Sequence, residues 1–303
     1  MDLLLDIRHA ISRHARKGLT ATALPGLSVL RAPRTTEPVG DVLEPTLVLV
    51  AGGVKHTALN GEVYRYGAGD YLVASVDLPV VGNIVAADHD DPFLAVVFRL
   101  EPDRIASLLL DTGTTGTTGT TGTTSRRPGA HSPSAFGVGQ APPPLLDAIA
   151  RLLALLDNPQ DVAALSAGIG REILWRLLTG PQGATIRQIG LPDSRLAHLT
   201  RSIRWIRDHY DQPLRVADLA AAAAMSPSSF HRHFLTVTSM TPLEYQKHLR
   251  LNEARMRLLT GAHEVAEVGH SVGYTSASQF SREYRRMFGA PPSQAVDTSP
   301  MRV

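Results

Sequence analysis

Apolar residues in the last third of the chain recur at helical spacing in one construction that occurs twice. Residues 214–225 give a lean apolar helix that includes five consecutive alanines. After a turn, Phe230, Phe234 and Val237 fall on one face of a second helix. Residues 264–274 and the run Phe280, Tyr284, Met287 and Phe288 repeat the arrangement. A short apolar helix, a tight turn and a second helix make a helix-turn-helix unit. The outward faces carry Ser228, His231 and Arg232 in the first unit, and Ser278, Gln279, Arg282, Arg285 and Arg286 in the second. Side chains of these types read base edges or grip phosphates.

Capping chemistry predicts where these helices begin. The first amides of a helix lack intrahelical acceptors, and a side-chain oxygen just before the helix supplies one. Ser226 precedes Pro227 at the first helical position, where a missing N–H costs nothing. Ser276 with Gln279 predicts a capping box, as does Thr241 with Glu244, which opens a connecting helix to about Leu259 with Gly261 as its stop. One rigid helix between two reading heads can hold them at the spacing of successive major-groove faces, about 34 Å.

The first third has a different texture. Residues 1–18 suit an amphipathic helix with Leu4, Ile7 and Ile11 on one stripe. Short strands are predicted over 47–51, 54–59, 62–66, 71–75, 80–86 and 93–99, with Asn60-Gly61 as a type I′ hairpin turn. Closely spaced antiparallel strands predict a sandwich or small barrel. Between the two textures, Thr and Gly repeat at period three over 112–124 without proline, which suits a flexible spacer rather than a triple helix. Two apolar-striped helices follow at 145–156 and 169–178.

Charge and composition narrow the class. Thirty Lys and Arg against 28 Asp and Glu exclude a bulk polycation that coats nucleic acid indiscriminately. Across residues 197–303, however, thirteen bases face nine acids, so positive charge gathers where phosphates are expected. The absence of cysteine excludes disulfides, thiolate zinc sites and cysteine nucleophiles. Asp6 and the bases at 8–17 break the leading apolar run, so no signal peptide is expected, and no stretch is apolar enough for a membrane span. A cytoplasmic protein is expected.

Residues 196–292 resemble the DNA-binding domain of AraC/XylS-type bacterial transcription regulators. The motifs are Met225-Ser-Pro-Ser-Ser-Phe-His-Arg-His-Phe234, Leu249-Arg-Leu-Asn-Glu-Ala-Arg255, Val272-Gly-Tyr-Thr-Ser-Ala-Ser-Gln-Phe-Ser-Arg282 and Phe288-Gly-Ala-Pro-Pro292. Gly269 departs from the family, which has a better helix former there. Residues 44–56, 64–80 and 92–100 resemble the effector domain of one AraC-type subfamily, and 171–178 also follows the family pattern.

The resemblance implies an α+β chain. Residues 1–110 form an amino-terminal helix and cupin-like effector-binding barrel, 111–144 a flexible linker, 145–195 a helical dimerisation segment, and 196–303 the doubled helix-turn-helix domain. It implies promoter DNA, RNA polymerase, a small effector and a second subunit as partners, usually for activation. Lys55, His56, Tyr64, Tyr66 and Tyr71 are candidate effector contacts, against the plainer reading of core tyrosines and a solvated lysine. A cupin enzyme with an accessory DNA-binding domain is the rival reading, and it requires clustered metal ligands. His56 and His89 are isolated, and the His-x-His pair His231 and His233 lies on a reading helix. No catalytic residue, metal or cofactor is therefore expected.

Overall fold

A computed structural model describes residues 2–113, 134–191, 195–260 and 264–297 of the chain. Helix α1 (Leu3–His14) starts at Asp2, whose carboxylate accepts from the Leu4 and Leu5 amides, and it buries Ile7 and Ile11. Nine strands follow. The first four are β1 (Gly18–Ala21), β2 (Leu27–Ala32), β3 (Val39–Leu43) and β4 (Thr46–Gly52). Next come β5 (Val54–Leu59), β6 (Glu62–Gly67), β7 (Asp70–Ala74), β8 (Leu78–Ala86) and β9 (Phe93–Arg99). Asn60 and Gly61 both have positive φ, 49° and 84°, as the predicted type I′ turn between β5 and β6 requires. Helix α2 (Pro102–Asp111), strand β10 (Phe136–Gln140) and helices α3 (Pro143–Ala154), α4 (Pro159–Thr179) and α5 (Gly183–Ile189) complete this half.

The strands form two antiparallel sheets, ordered β1-β2-β9-β4-β7-β10 and β3-β8-β5-β6. The larger sheet is buried on both faces, which explains why β4 and β9 read as nearly continuous apolar runs. One face, with Val29, Leu49, Tyr71 and Val96, packs against α1 to α5. The other, with Leu30, Val50, Leu72 and Phe93, meets Leu59, Tyr66 and Ile84 of the smaller sheet.

Two expectations are corrected here. Residues 136–140 are not linker but pair with β7 from Phe136↔Ala74 to Gln140↔Asp70. Gly137 and Gly139 hide the strand's alternation; at Gly137 a Cβ would collide with the Gln182 side chain, whereas Gly139 only meets Tyr71 at ordinary contact distance. The repeat from residue 114 onward lies outside the described residues, as does Gly261. Second, within the expected dimerisation segment 145–195, the apolar stripe of α3 is internal. Leu145, Ile149, Leu152 and Leu153 are buried in the chain's own core, beside Ile173, Leu174, Leu177 and Leu178 of α4.

The carboxyl-terminal half consists of α6 (Arg195–Asp208), α7 (Val216–Ala222), α8 (Pro227–Thr238), α9 (Pro242–Leu259), α10 (Val265–Ser271) and α11 (Ala277–Phe288). It packs against the smaller sheet. Tyr245 of α9 donates from its hydroxyl to the Asp77 carbonyl at 2.7 Å, and Asn252 Nδ2 donates to the carbonyls of Asp41 and Val80 at 3.1 and 3.2 Å. Arg207 Nη1 lies 2.7 Å from the Asp77 carboxylate, whose side chain is 3% exposed, in an ionic contact without hydrogen-bond geometry, and 3.3 Å from Glu44.

Burial pushes the Asp77 carboxyl up, and Arg207 opposes that shift. A carboxyl raised on folding favours the folded state at low pH and loses that contribution as pH rises through its folded pKa. Arg207→Ala removes the positive charge that opposes the Asp77 shift, lowering stability by about 1–3 kcal/mol wherever the carboxyl is ionised. That loss shrinks as Asp77 protonates. Urea melts of both proteins near pH 7 and pH 5 check this, and an equal loss at both would refute the assignment.

Candidate nucleic-acid interface and effector cavity

The two helix-turn-helix units are built by the same local chemistry. Helix α7 ends where Met225 N–H bonds to the Ala220 carbonyl, with Ala224 between them at φ 54°. Helix α10 ends identically, Tyr274 N–H bonding to the Gly269 carbonyl with Gly273 at φ 92°. Each turn thus places its residue in the left-handed region, as a Schellman stop demands. The turn of the second unit is one residue longer before its cap.

Ser226 Oγ then accepts from the Ser229 amide, and Ser276 Oγ from the Gln279 amide, each at 3.3 Å. Only half of the capping box predicted at Ser276 forms, because the Gln279 side chain turns along the helix and donates to Glu283 at 3.2 Å. At α9 both halves are present, Thr241 accepting from the Glu244 amide and Glu244 from the Thr241 amide.

Phe230 and Phe234 are buried in the first unit, Phe280 and Tyr284 in the second, while Met287 and Phe288 are half-buried. Gly269 has a packing reason, since a Cβ there would approach the Phe280 ring to 3.0 Å. With the core faces fixed, Ser228, His231, Arg232, Ser278, Gln279, Arg282, Arg285 and Arg286 are all exposed. Ser228 and Ser278 sit beside their caps, Oγ to Oγ at 3.4 and 3.0 Å. No carboxylate among the described residues lies within 4.0 Å of Arg232, Arg282, Arg285 or Arg286. Two equivalent helices therefore present free guanidinium groups at matching positions, Arg232 and Arg282 each the sixth residue of its helix.

The five effector candidates separate. Lys55 and Tyr66 are brought together, paired across β5 and β6, and both line a cavity of ≈ 700 Å³ with Leu30, Val48, Leu72 and Phe93. Tyr66 is held by Thr57 at 2.7 Å, and burial pushes its phenol up to about 12, so it stays a neutral donor. Lys55 makes no hydrogen bond or ion pair among the described residues, and burial lowers its pKa, with Asp41 opposing. Tyr64 instead packs on Phe136 at 4.6 Å, Tyr71 points to the helical layer, and His56 alternates onto the other face of β5.

A second cavity, ≈ 1140 Å³, opens from Lys55 into the seam between the smaller sheet and α9. Asp41, Asn252, Met256 and Arg257 line it. Sequence reasoning missed Asp41, Asn252 and Met256, which come together only when α9 packs on β3.

Residues 23–185 match the family model described as AraC-type transcriptional regulator N-terminus, and residues 219–297 match a helix-turn-helix domain model. The HTH-type transcriptional activator RhaS of Escherichia fergusonii is 29% identical over 166 residues, 54% of this chain and 58% of the relative. RhaS of Salmonella agona is 28% identical over 163 residues, 53% of this chain and 56% of the relative. The chain thus spans just over half the length of these curated relatives, which are transcriptional regulators rather than enzymes.

Among solved structures, wild-type ToxT from Vibrio cholerae strain SCE256 bound to an unsaturated fatty acid has a TM-score of 0.53. It is 10% identical, with 93% of this chain and 97% of that chain covered. ToxT from strain O395 bound to (E)-4-(8-methylnaphthalen-1-yl)but-3-enoic acid has a TM-score of 0.51 at 10% identity, covering 89% of this chain and 97% of that chain. At such identity the likeness is one of fold.

The turn geometry predicts that Ala224→Gly stabilises the chain by about 0.5–1 kcal/mol, because an L-residue is strained in the left-handed region that glycine enters freely. A urea midpoint shifted upward checks it, and an unchanged or lowered midpoint would show the turn to be unstrained.

Proposed function

The chain belongs to the AraC/XylS family of transcriptional regulators, and from that premise we propose that it binds promoter DNA sequence-specifically and answers to a small effector held in its amino-terminal domain. The observation that carries the reading is the matched pair of capped helices with unpaired, exposed Arg232 and Arg282. Arginine reads guanine bidentately in the major groove, and here no ion pair among the described residues has to be exchanged first. Ser228, His231, Ser278 and Gln279 complete the reading faces. Arg285 and Arg286, in the last turn of α11, suit phosphate contacts. In this reading the protein works in the cytoplasm as an activator, with RNA polymerase as a further partner. A second copy of the chain pairs through the face of α4 that leaves Leu165 and Trp175 exposed.

The effector class follows from Lys55. Lys55 has no close partner in a cavity whose lining combines Leu30, Val48, Leu72 and Phe93 with Asp41, Glu44, Arg99 and Glu101, and it favours a molecule with an apolar body and one carboxylate. The carboxylic acids bound by ToxT have that chemistry. Lys55→Met abolishes ligand-induced thermal stabilisation by long-chain or aryl carboxylates while leaving DNA binding of the ligand-free protein intact. Because the ligand needs a charged Lys55, affinity in the parent protein falls as pH rises through the lowered lysine pKa. A variant stabilised by the same acids as the parent would refute the assignment.

For the DNA, a duplex enriched from a random-sequence library serves as the probe. Arg232→Ala and Arg282→Ala each weaken binding to it by about 1–3 kcal/mol and relax base preference locally. Arg286→Ala weakens all duplexes alike and lowers the salt slope by about one. Titrations against enriched and scrambled duplexes at several salt concentrations measure both. Unchanged enriched-to-scrambled ratios in both of the first two variants would remove the base-reading role.

A further inference from the structure

The two reading helices are joined by α9, yet sharing one helix does not by itself fix their separation, because a small unit can swivel about the helix it packs on. Resistance to swivelling requires a link from the second unit to something beyond α9. Arg250 supplies it. Its Nε donates to the Tyr210 carbonyl at 2.6 Å and its Nη2 to the Gln212 carbonyl at 3.0 Å, both on the segment leaving α6. Its Nη1 donates to the Gly273 carbonyl at 2.9 Å, in the turn of the second unit. The guanidinium also lies over the Tyr274 ring, 5.9 Å from its centroid.

One planar group thus ties the exit of α6, helix α9 and the second turn together, with directions that only a guanidinium fork can meet at once. Neighbouring contacts are built to the same end. Gln246, one turn earlier on α9, also donates to the Gln212 carbonyl, at 2.7 Å. Arg257, two turns later, bonds Ser271 Oγ at 2.8 Å and the Tyr210 hydroxyl at 2.9 Å. Gly273 leaves no slack, since a Cβ there would lie 2.3 Å from the Asp211 carbonyl oxygen and 2.8 Å from Arg250 Nη2. Arg250 is partly buried, which lowers its pKa, and all three of its hydrogen-bond acceptors are neutral carbonyls. Its charge strengthens those bonds, and Asp211 and Glu283 favour that charge without a close ion pair.

We propose that Arg250 is a positioning residue that sets the distance and rotation between the two reading helices, and so determines the spacing of the two base-pair blocks the protein accepts. The proposal rests on the DNA-binding reading above. It assigns Arg250 no contact with DNA.

The test uses the full chain and the duplex it enriches from a random-sequence library, with one or two base pairs inserted or removed between the two protected blocks. Each base pair turns one block by about 35° relative to the other. The parent protein is expected to lose about tenfold or more in affinity on a single insertion, the scale of a missed block contact. Arg250→Met is expected to bind the optimal duplex more weakly but to lose less than about threefold on insertion. Its base preference within each block stays unchanged.

Arg250→Lys keeps the charge but not the fork, and is expected to fall between the two. It also serves if Arg250→Met does not fold, with thermal melts reporting folding in each case. A folded Arg250→Lys or Arg250→Met with the parent's spacing profile overturns the proposal, and so does a parallel loss on every duplex. Failure of the DNA-binding reading looks different, because the parent protein itself then enriches no sequence or protects only one block.

Discussion

Helix α9 has to satisfy three neighbours along 18 residues, and the rest of the molecule is arranged around that constraint. Tyr245 and Leu249 complete the core of the first helix-turn-helix unit, while Leu251, Ala254 and Leu258 complete that of the second. Asn252 reaches the backbone of the smaller sheet, and Tyr245 the Asp77 carbonyl just before β8. Since successive residues are about 100° apart around a helix, a slip of one residue would misplace all three sets together. The Thr241 and Glu244 capping box fixes where the helix begins, and with it the register on which both helix-turn-helix units and the seam depend.

The seam is more polar than a domain core, and its polar groups are unevenly satisfied. Asn252 can enter because Gly40 has no side chain, as a Cβ there would lie 2.1 Å from Asn252 Oδ1. That oxygen is buried without a partner, which costs about 1–3 kcal/mol. Asp77 is held by one partly exposed arginine, and Lys55 by no close partner. A seam carrying such costs sits nearer to an alternative arrangement than a fully apolar one would.

Helices α8 and α11 were legible in the sequence because caps are local. Ser226-Pro227, Ser276 and Thr241-Pro242-Leu243-Glu244 each act within one turn, and apolar periodicity then fixed which residues face outward. The hairpin at Asn60-Gly61 and the strands at 54–59 and 93–99 were legible for the same reason. Strand β10 was not, because Gly137 and Gly139 erase its alternation. The stripe of α3 did not tell core from subunit interface, because an apolar helix face looks the same whether it meets its own sheet or another subunit.

The site followed the same division. The sequence by itself determined two capped helices with matched arginines, since helical phase and capping need only near neighbours. It could not separate Lys55 and Tyr66 from Tyr71, because β7 is buried on both faces and its run of apolar residues gives no phase. Nor could it reveal Arg250, whose three hydrogen-bond acceptors are backbone carbonyls at residues 210, 212 and 273. Every residue carries a carbonyl, so which ones converge on a guanidinium was decided only by the tertiary structure, through the packing of α6, α9 and the second turn.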